Sequence, residues 1–312
     1  MKAAIQVDVG RYEVRDVAVP QITDTQCLIR VAACTICGTD VRYFNGQTRR
    51  DWPSPMGHEV TGTIEQVGPA VVGFAEGDRV LSRMAWGGFA EYVAAEAELL
   101  VHLPDNVGFE EGAIAQLLPI AVRGAELSMG AGKAVFVSGL GGAGLLCVQV
   151  AKAYGASKVI AADPFELRRD VAVAVGADVA VDPNTEDVVE RVRAETDGGV
   201  NVAMEAAGLE PSFRACEQAV RAGGIVSVFG THLTPIEFDM ILWERKCMQL
   251  HIMAEPPEDK PAMLRKAAEL LAGGKVRLKP LLSKVMKLDD IMAAFDLVIH
   301  RPDEVIKIAI VP

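Results

Sequence analysis

The sequence predicts an α/β protein in which a β-rich domain is joined to a doubly wound parallel sheet. Three observations carry this prediction. The first third of the chain holds short β segments broken by Gly and Pro. The middle alternates continuous apolar runs with helical stretches, and one such run, AVFVSG (134–139), ends in a glycine-rich turn that opens a helix.

In the first third, VTGTIEQVG (60–68), GFAEGDRVLS (73–82) and GGFAEYVAA (87–95) alternate or run apolar between turn residues. No helix of useful length is expected before about Glu110, so this part reads as a compact, mostly antiparallel β domain. The stretch EEGAIAQLLPIAVRGAEL then has helical spacing, interrupted only by Pro119. AVFVSG is typical of a buried parallel strand, and GAGLLCVQVAKAYGA follows as a helix closed by Gly155. KVIAAD and DVAVD read as strands, with helices over about 165–175 and 185–196, and NVAMEAAG and GGIVSVFG as two further strands. Strands and helices alternating at this spacing indicate βαβ units. The tail from about Leu281 holds one helix (LDDIMAAFDLVIH) and a final strand (EVIKIAIVP), which either extend the parallel sheet or return to the first domain.

Composition excludes several classes. The chain has 312 residues, half of them apolar, and a formal net charge of −11, so it has no basic excess with which to neutralise nucleic-acid phosphates. No apolar run is long enough for a signal peptide or a membrane anchor. The cysteines are Cys27, Cys34, Cys37, Cys147, Cys216 and Cys247; only Cys34 and Cys37 lie close together, and no second CxxC pair completes a zinc ribbon. Scattered thiols suggest a reducing compartment, and a cytoplasmic enzyme is expected.

Gly139-Leu140-Gly141-Gly142-Ala143-Gly144 matches G-x-G-x-x-G between a strand and a helix, the setting in which the motif binds a dinucleotide. The first glycine permits the tight turn, the second lets backbone approach a pyrophosphate, and the third lets helix and strand pack closely. The amides of Gly142 and Ala143 are expected to face the phosphates. Asp163 ends the next strand, where an acid binds the ribose 2′-hydroxyl and repels a 2′-phosphate, so NAD is favoured over NADP. Arg168 follows closely enough to touch the adenine or ribose, and its charge tempers that preference.

Cys37 in CTICGTD and His58 and Glu59 in PMGHEVTG offer a thiolate, an imidazole and a carboxylate, a donor set that suits zinc. By themselves, a single Cys and a single His in such a chain are more often structural than metal-binding.

The motifs CGTD, GHE with VGPAVVGFAEGDRV, GGFAEY and LPDNVGFEEGA, in this order before GLGGAG, resemble the zinc-containing medium-chain dehydrogenase/reductase family, notably its sorbitol, threonine and related polyol or sugar dehydrogenases. The closing LDDIMAAFDLVIHRPDEVIKIAIVP resembles the family's ending, so the likeness covers essentially the whole chain. The resemblance implies a GroES-like catalytic domain (1–120), a Rossmann NAD-binding domain (121–272) and a return to the catalytic domain (273–312). It implies Cys37 and His58 as zinc ligands and Glu59 as an acid that can ligate zinc when water or substrate exchanges. Thr39 takes the hydroxyl position that starts proton removal, with Asp40 orienting the histidine. The reaction implied is interconversion of a secondary alcohol and its ketone, in a homodimer.

Three departures stand out. The third ligand of the family, usually Cys, Glu or Asp, aligns with Gln116, which either binds zinc through its amide oxygen, more weakly than a carboxylate or thiolate would, or merely packs near the site. Only LSRMAW separates GDRV from GGFAEY where relatives insert a four-cysteine lobe, so one catalytic and no structural zinc is expected; Trp52 and Trp86 then either line an opened cleft or simply pack. Arg42 replaces a proton-relaying histidine and cannot release a proton, which leaves it free to bind cofactor or an anionic substrate group. His232, after GGIVSVFG, is a possible substrate contact; His102, His251, His300 and Cys34 read as structural or surface residues. The alternatives are an aldose 1-dehydrogenase, a zinc-free quinone-type reductase, and a non-catalytic NAD-binding protein.

Overall fold

Alternating apolar and polar residues build the strands that open the chain. In the computed structural model, which describes every residue from Met1 to Pro312, these are β1 (Lys2–Asp8), β2 (Arg11–Asp16), β3 (Gln26–Thr35), β4 (Ser54–Pro55), β5 (Glu59–Val67), β6 (Arg79–Ser82), β7 (Tyr92–Glu96) and β8 (Leu100–His102). Two short helices accompany them, α1 (Gly38–Phe44) and α2 (Phe109–Gly112). β3 is the hub, pairing antiparallel with both β5 and β7. Its inward residues Ile29, Val31 and Cys34 join Met56, Val60, Ile64, Phe89 and Phe295 in one core.

Helix α1 is a short exception to the expectation that no helix of useful length precedes about Glu110. Seven residues are too few to display a helical period. Its N-terminus is held by Asp40, whose carboxylate accepts the backbone N–H of Cys37 at 2.9 Å. Its far end is anchored by Phe44, whose ring stacks on Tyr12 at 5.6 Å and meets Phe295 at 4.8 Å.

The stretch read as one helix from about Glu110 is broken. After α2, Ala113–Leu117 tighten into a 3-10 turn carrying Gln116, and α3 (Leu118–Ser128) starts afresh with Pro119 in its first turn, where the missing N–H costs nothing.

Then come β9 (Ala134–Ser138), α4 (Gly142–Ala153), β10 (Lys158–Ala162), α5 (Glu166–Ala174), β11 (Val179–Val181), α6 (Val188–Glu195), β12 (Val200–Glu205), α7 (Glu210–Ala219), β13 (Val220–Val228), α8 (Met240–Lys246) and β14 (Gln249–Ile252). The six strands are all parallel, in the order β11-β10-β9-β12-β13-β14. Val135, Phe136, Val137, Val159, Ile160 and Ala161 are wholly buried, which is why these strands read as unbroken apolar runs. The order reverses between β9 and β12, and at the C-terminal ends of such strands α/β sheets bind their ligands.

The tail holds α9 (Lys260–Ala272), β15 (Leu282–Lys287), α10 (Ile291–His300) and β16 (Lys307–Val311). β16 pairs antiparallel with β3, Ala309 opposite Thr35 and Ile310 opposite Cys34, so the closing strand completes the first sheet rather than extending the parallel one. The chain thus forms one unit from Met1–Leu117, Glu258–Ala272 and Leu281–Pro312, and another from Leu118–Pro257 and Gly273–Pro280. No helix is long and apolar enough to cross a membrane.

Candidate active site

Strand register assembles the first half of the site. Thr35, the last residue of β3, lies opposite Glu59, the first of β5. The segment leaving β3 through Cys37 and the segment entering β5 through His58 therefore diverge from one point. Ligand atoms of Cys37, His58 and Glu59 all fall within 4.8 Å of one another, and all three residues are buried. Asp40, itself without exposure, ties the two segments together: it accepts from Cys37 N and from Gly57 N, and lies 3.4 Å from His58 Nδ1 without the alignment of a hydrogen bond.

The field of this cluster favours a cation. Burial works against a charged imidazole at His58, yet Asp40 and Cys37 outweigh it and hold the pKa up at about 11. Glu59 is fully buried and accepts from Lys307 Nζ at 2.8 and 2.6 Å and from the Thr35 hydroxyl. Lys307 also donates to Ile36 O at 3.0 Å. Burial opposes its charge, but Glu59 and Cys37 keep it protonated.

Sequence reasoning missed Lys307 and Thr35. A lysine inside the apolar strand VIKIAIV was the available signal, since a charge on an inward strand position needs a partner.

Gln116 fits a metal in a specific way. Its Nε2 donates to Arg83 O at 2.6 Å and lies 3.4 Å from Met84 Sδ, which fixes the amide and leaves Oε1 buried with no donor. An orphaned carbonyl-type oxygen is what a cation would satisfy. Thr39 is half-buried on α1, and its hydroxyl accepts from Arg42 at 2.8 Å. Trp86 packs on His58, ring centroids 4.5 Å apart, while Trp52 stands 37% exposed.

The second unit carries the glycine turn. Gly139 has a φ of +89° and donates to Ala162 O, and Gly141 caps α4. A Cβ on Gly144 would sit 1.8 Å from Gly139 O, so only glycine lets the helix approach the strand this closely. Asp163 is 3% exposed and accepts from Leu140 N at 2.8 Å and Phe165 N at 3.0 Å, so it shapes the turn. The Arg168 guanidinium lies 3.7 Å from the Asp163 carboxylate and over the Phe165 ring.

At the end of β12, buried Glu205, also unforeseen, accepts from Ala207 N, Gly208 N and His232 Nε2 at 2.9, 2.8 and 3.0 Å. This holds Ala207 directly against Gly139. His232 thus braces the turn's neighbour.

Fold and site together define a class: an oxidoreductase combining a GroES-like domain with a dinucleotide-type sheet. Residues 23–105 match the alcohol dehydrogenase GroES-like domain, and residues 142–269 the zinc-binding dehydrogenase family. L-threonine 3-dehydrogenase of Pyrococcus furiosus is 34% identical over 73% of this chain and 74% of its own. The structure of 2R,3R-butanediol dehydrogenase from Bacillus subtilis superposes with a TM-score of 0.89 at 26% identity, covering 100% of this chain and 99% of that one. A chain from Sinorhizobium meliloti 1021, solved with bound NADP, gives 0.89 at 27% identity, again over 100% and 99%. The protein belongs to the zinc-containing medium-chain dehydrogenase/reductase family.

Proposed function

We propose that the protein is a zinc-dependent, NAD-linked dehydrogenase interconverting a secondary alcohol of polyol, sugar or cyclitol type and its ketone. One observation carries this reading: the buried Cys37–His58–Glu59 cluster forms a sulfur, nitrogen and oxygen donor set suited to zinc. Cys37, His58 and Gln116 would hold the metal, with Glu59 in reach and its charge balanced by Lys307. When bound, zinc supplies Lewis acidity toward the substrate oxygen, and the nicotinamide supplies the hydride acceptor.

The chain's own groups do the rest. Asp40 keeps His58 oriented from behind. The Thr39 hydroxyl takes the hydrogen bond of the alcohol proton and passes the proton on to water, and the Arg42 charge on its oxygen eases that release. In the second unit, amides of Gly142 and Ala143 cradle the pyrophosphate beside Gly139, Gly141 and Gly144, and Asp163 prefers a free ribose diol. The buried thiols fit a cytoplasmic enzyme.

The test is metal content of gently purified protein beside Cys37→Ser. About one zinc per chain is expected, lost in the variant together with NAD-dependent turnover of secondary alcohols. Protein that takes up no zinc when it is supplied overturns the reading.

A homodimer completes the proposal. Strand β14 is an unpaired sheet edge, and beside it Leu250, Ile252, Met240 and Ile241 are 39%, 55%, 68% and 62% exposed. A second copy covering this edge removes both the open ladder and the apolar surface. Light scattering is expected to give twice the 33.3 kDa chain mass, and Ile252→Lys to return it to one chain.

A further inference from the structure

The wall beside the ligand histidine carries arginines that no carboxylate neutralises. The chain as a whole is strongly acidic, yet the segment from Val41 to Arg50 holds three arginines and no acid. Arg50 is half-buried, and its guanidinium carbon lies 4.7 Å from the centre of the Trp86 ring and 5.6 Å from that of Tyr43. Trp86 in turn packs on the His58 imidazole at 4.5 Å. The Arg50 charge is therefore no farther from that imidazole than these two spans together. Asp40, the buried acid that precedes this segment, is already engaged by Cys37, Gly57 and His58.

A guanidinium over an aromatic face is fixed in place while its N–H donors remain unpaired. Such a fork matches a carboxylate or a phosphate, which it binds bidentately. It has no comparable use for a neutral hydroxyl. The Tyr43–Trp86 edge-to-face pair, centroids 6.1 Å apart, holds the platform rigid.

We propose that Arg50, seated on Trp86 and Tyr43 beside the His58 ligand, is the specificity-determining anchor for an anionic group, carboxylate or phosphate, carried by the alcohol substrate a short carbon chain away from the reacting carbon. This rests on the dehydrogenase reading above. The substrate class is then an anionic polyol or hydroxy acid rather than a neutral polyol, and Arg42, committed to Thr39, is left to the proton path.

The experiment compares three probes on one carbon skeleton: erythritol, erythritol 4-phosphate and erythronate. Steady-state turnover with NAD is measured for the wild-type zinc-loaded enzyme, Arg50→Met and Arg50→Lys, and calorimetry follows binding of the same probes without NAD. The wild type is expected to favour one anionic probe, which tells phosphate from carboxylate. Arg50→Met is expected to raise KM for that probe about 10- to 100-fold with kcat little changed, and to leave erythritol unaffected; Arg50→Lys recovers part of the loss. Equal losses on neutral and anionic probes would mean that Arg50 only props Trp86, and the proposal falls. No anionic preference in the wild type also overturns it. Anion binding that depends on Arg50 in calorimetry, without turnover of any probe, keeps the anchor and refutes the dehydrogenase reading instead.

Discussion

Lys307→Met is expected to destabilise the first unit by about 3–5 kcal/mol, because it strands a carboxylate in the core. Glu59 has no solvent exposure, and Lys307 reaches both of its oxygens. The partners lie 248 residues apart in sequence, so the pair also fastens the closing strand β16 to the start of β5. Methionine fills a similar volume, and the loss is therefore that of the charge rather than of packing. Urea unfolding followed by tryptophan fluorescence measures it. The double variant Glu59→Gln/Lys307→Met, which removes the stranded charge as well, is expected to recover most of the stability. If the single variant were as stable as the wild type, the pair would not be the clamp its geometry describes.

The same pair bears on metal chemistry. A lysine charge ion-paired with Glu59 offsets one of the two acidic side chains in the Cys37–His58–Glu59 cluster. Removing Lys307 frees the carboxylate, so zinc affinity in the refolded single variant is expected to rise even as stability falls. Opposite movements of the two quantities separate this effect from general damage to the fold.

What the sequence disclosed follows from range. The parallel sheet was legible because burial on both faces writes itself into contiguous residues, as in Val135–Val137 and Val159–Ala161. The glycine turn was legible because its requirements are local: a positive φ at Gly139, and at Gly144 a contact with a carbonyl five residues earlier. Cys37, His58 and Gln116 could be singled out only through ordered motifs shared with a family, since nothing in their spacing brings them together. The β3–β5 register does that for Cys37 and His58, and a register is a property of two strands at once, while Gln116 sits on a separate 3-10 turn. Lys307 and the pairing of Glu205 with His232 escaped for the same reason, the partners being distant in sequence. Helix α1 and edge strand β14 were missed because each is too short to show a period. The 3-10 turn at Ala113–Leu117 was hidden inside a composition that suits a helix equally well.

Two glycines of one turn should fail in different ways when each becomes alanine, and the contrast is the sharpest test of the dinucleotide site. At Gly144 the new methyl would stand 1.8 Å from Gly139 O, a contact that flexible side chains cannot relieve because it is backbone. Gly144→Ala is therefore expected to spread β9 from α4, lower the thermal transition of the second unit and abolish NAD binding together. At Gly141 the backbone has an ordinary φ of −65°, and nothing lies within 4 Å of the added carbon. Gly141→Ala should fold and melt like the wild type. The open space there is the approach to the N-terminus of α4, where a pyrophosphate needs bare backbone, so the methyl is expected to weaken NAD by about 100-fold or about 2.7 kcal/mol. Calorimetric titration of NAD with melting curves on both variants reads the difference. A Gly141→Ala variant that binds NAD as tightly as the wild type would show that the phosphates do not pass this turn, and would remove the cofactor half of the proposed mechanism while leaving the metal half standing.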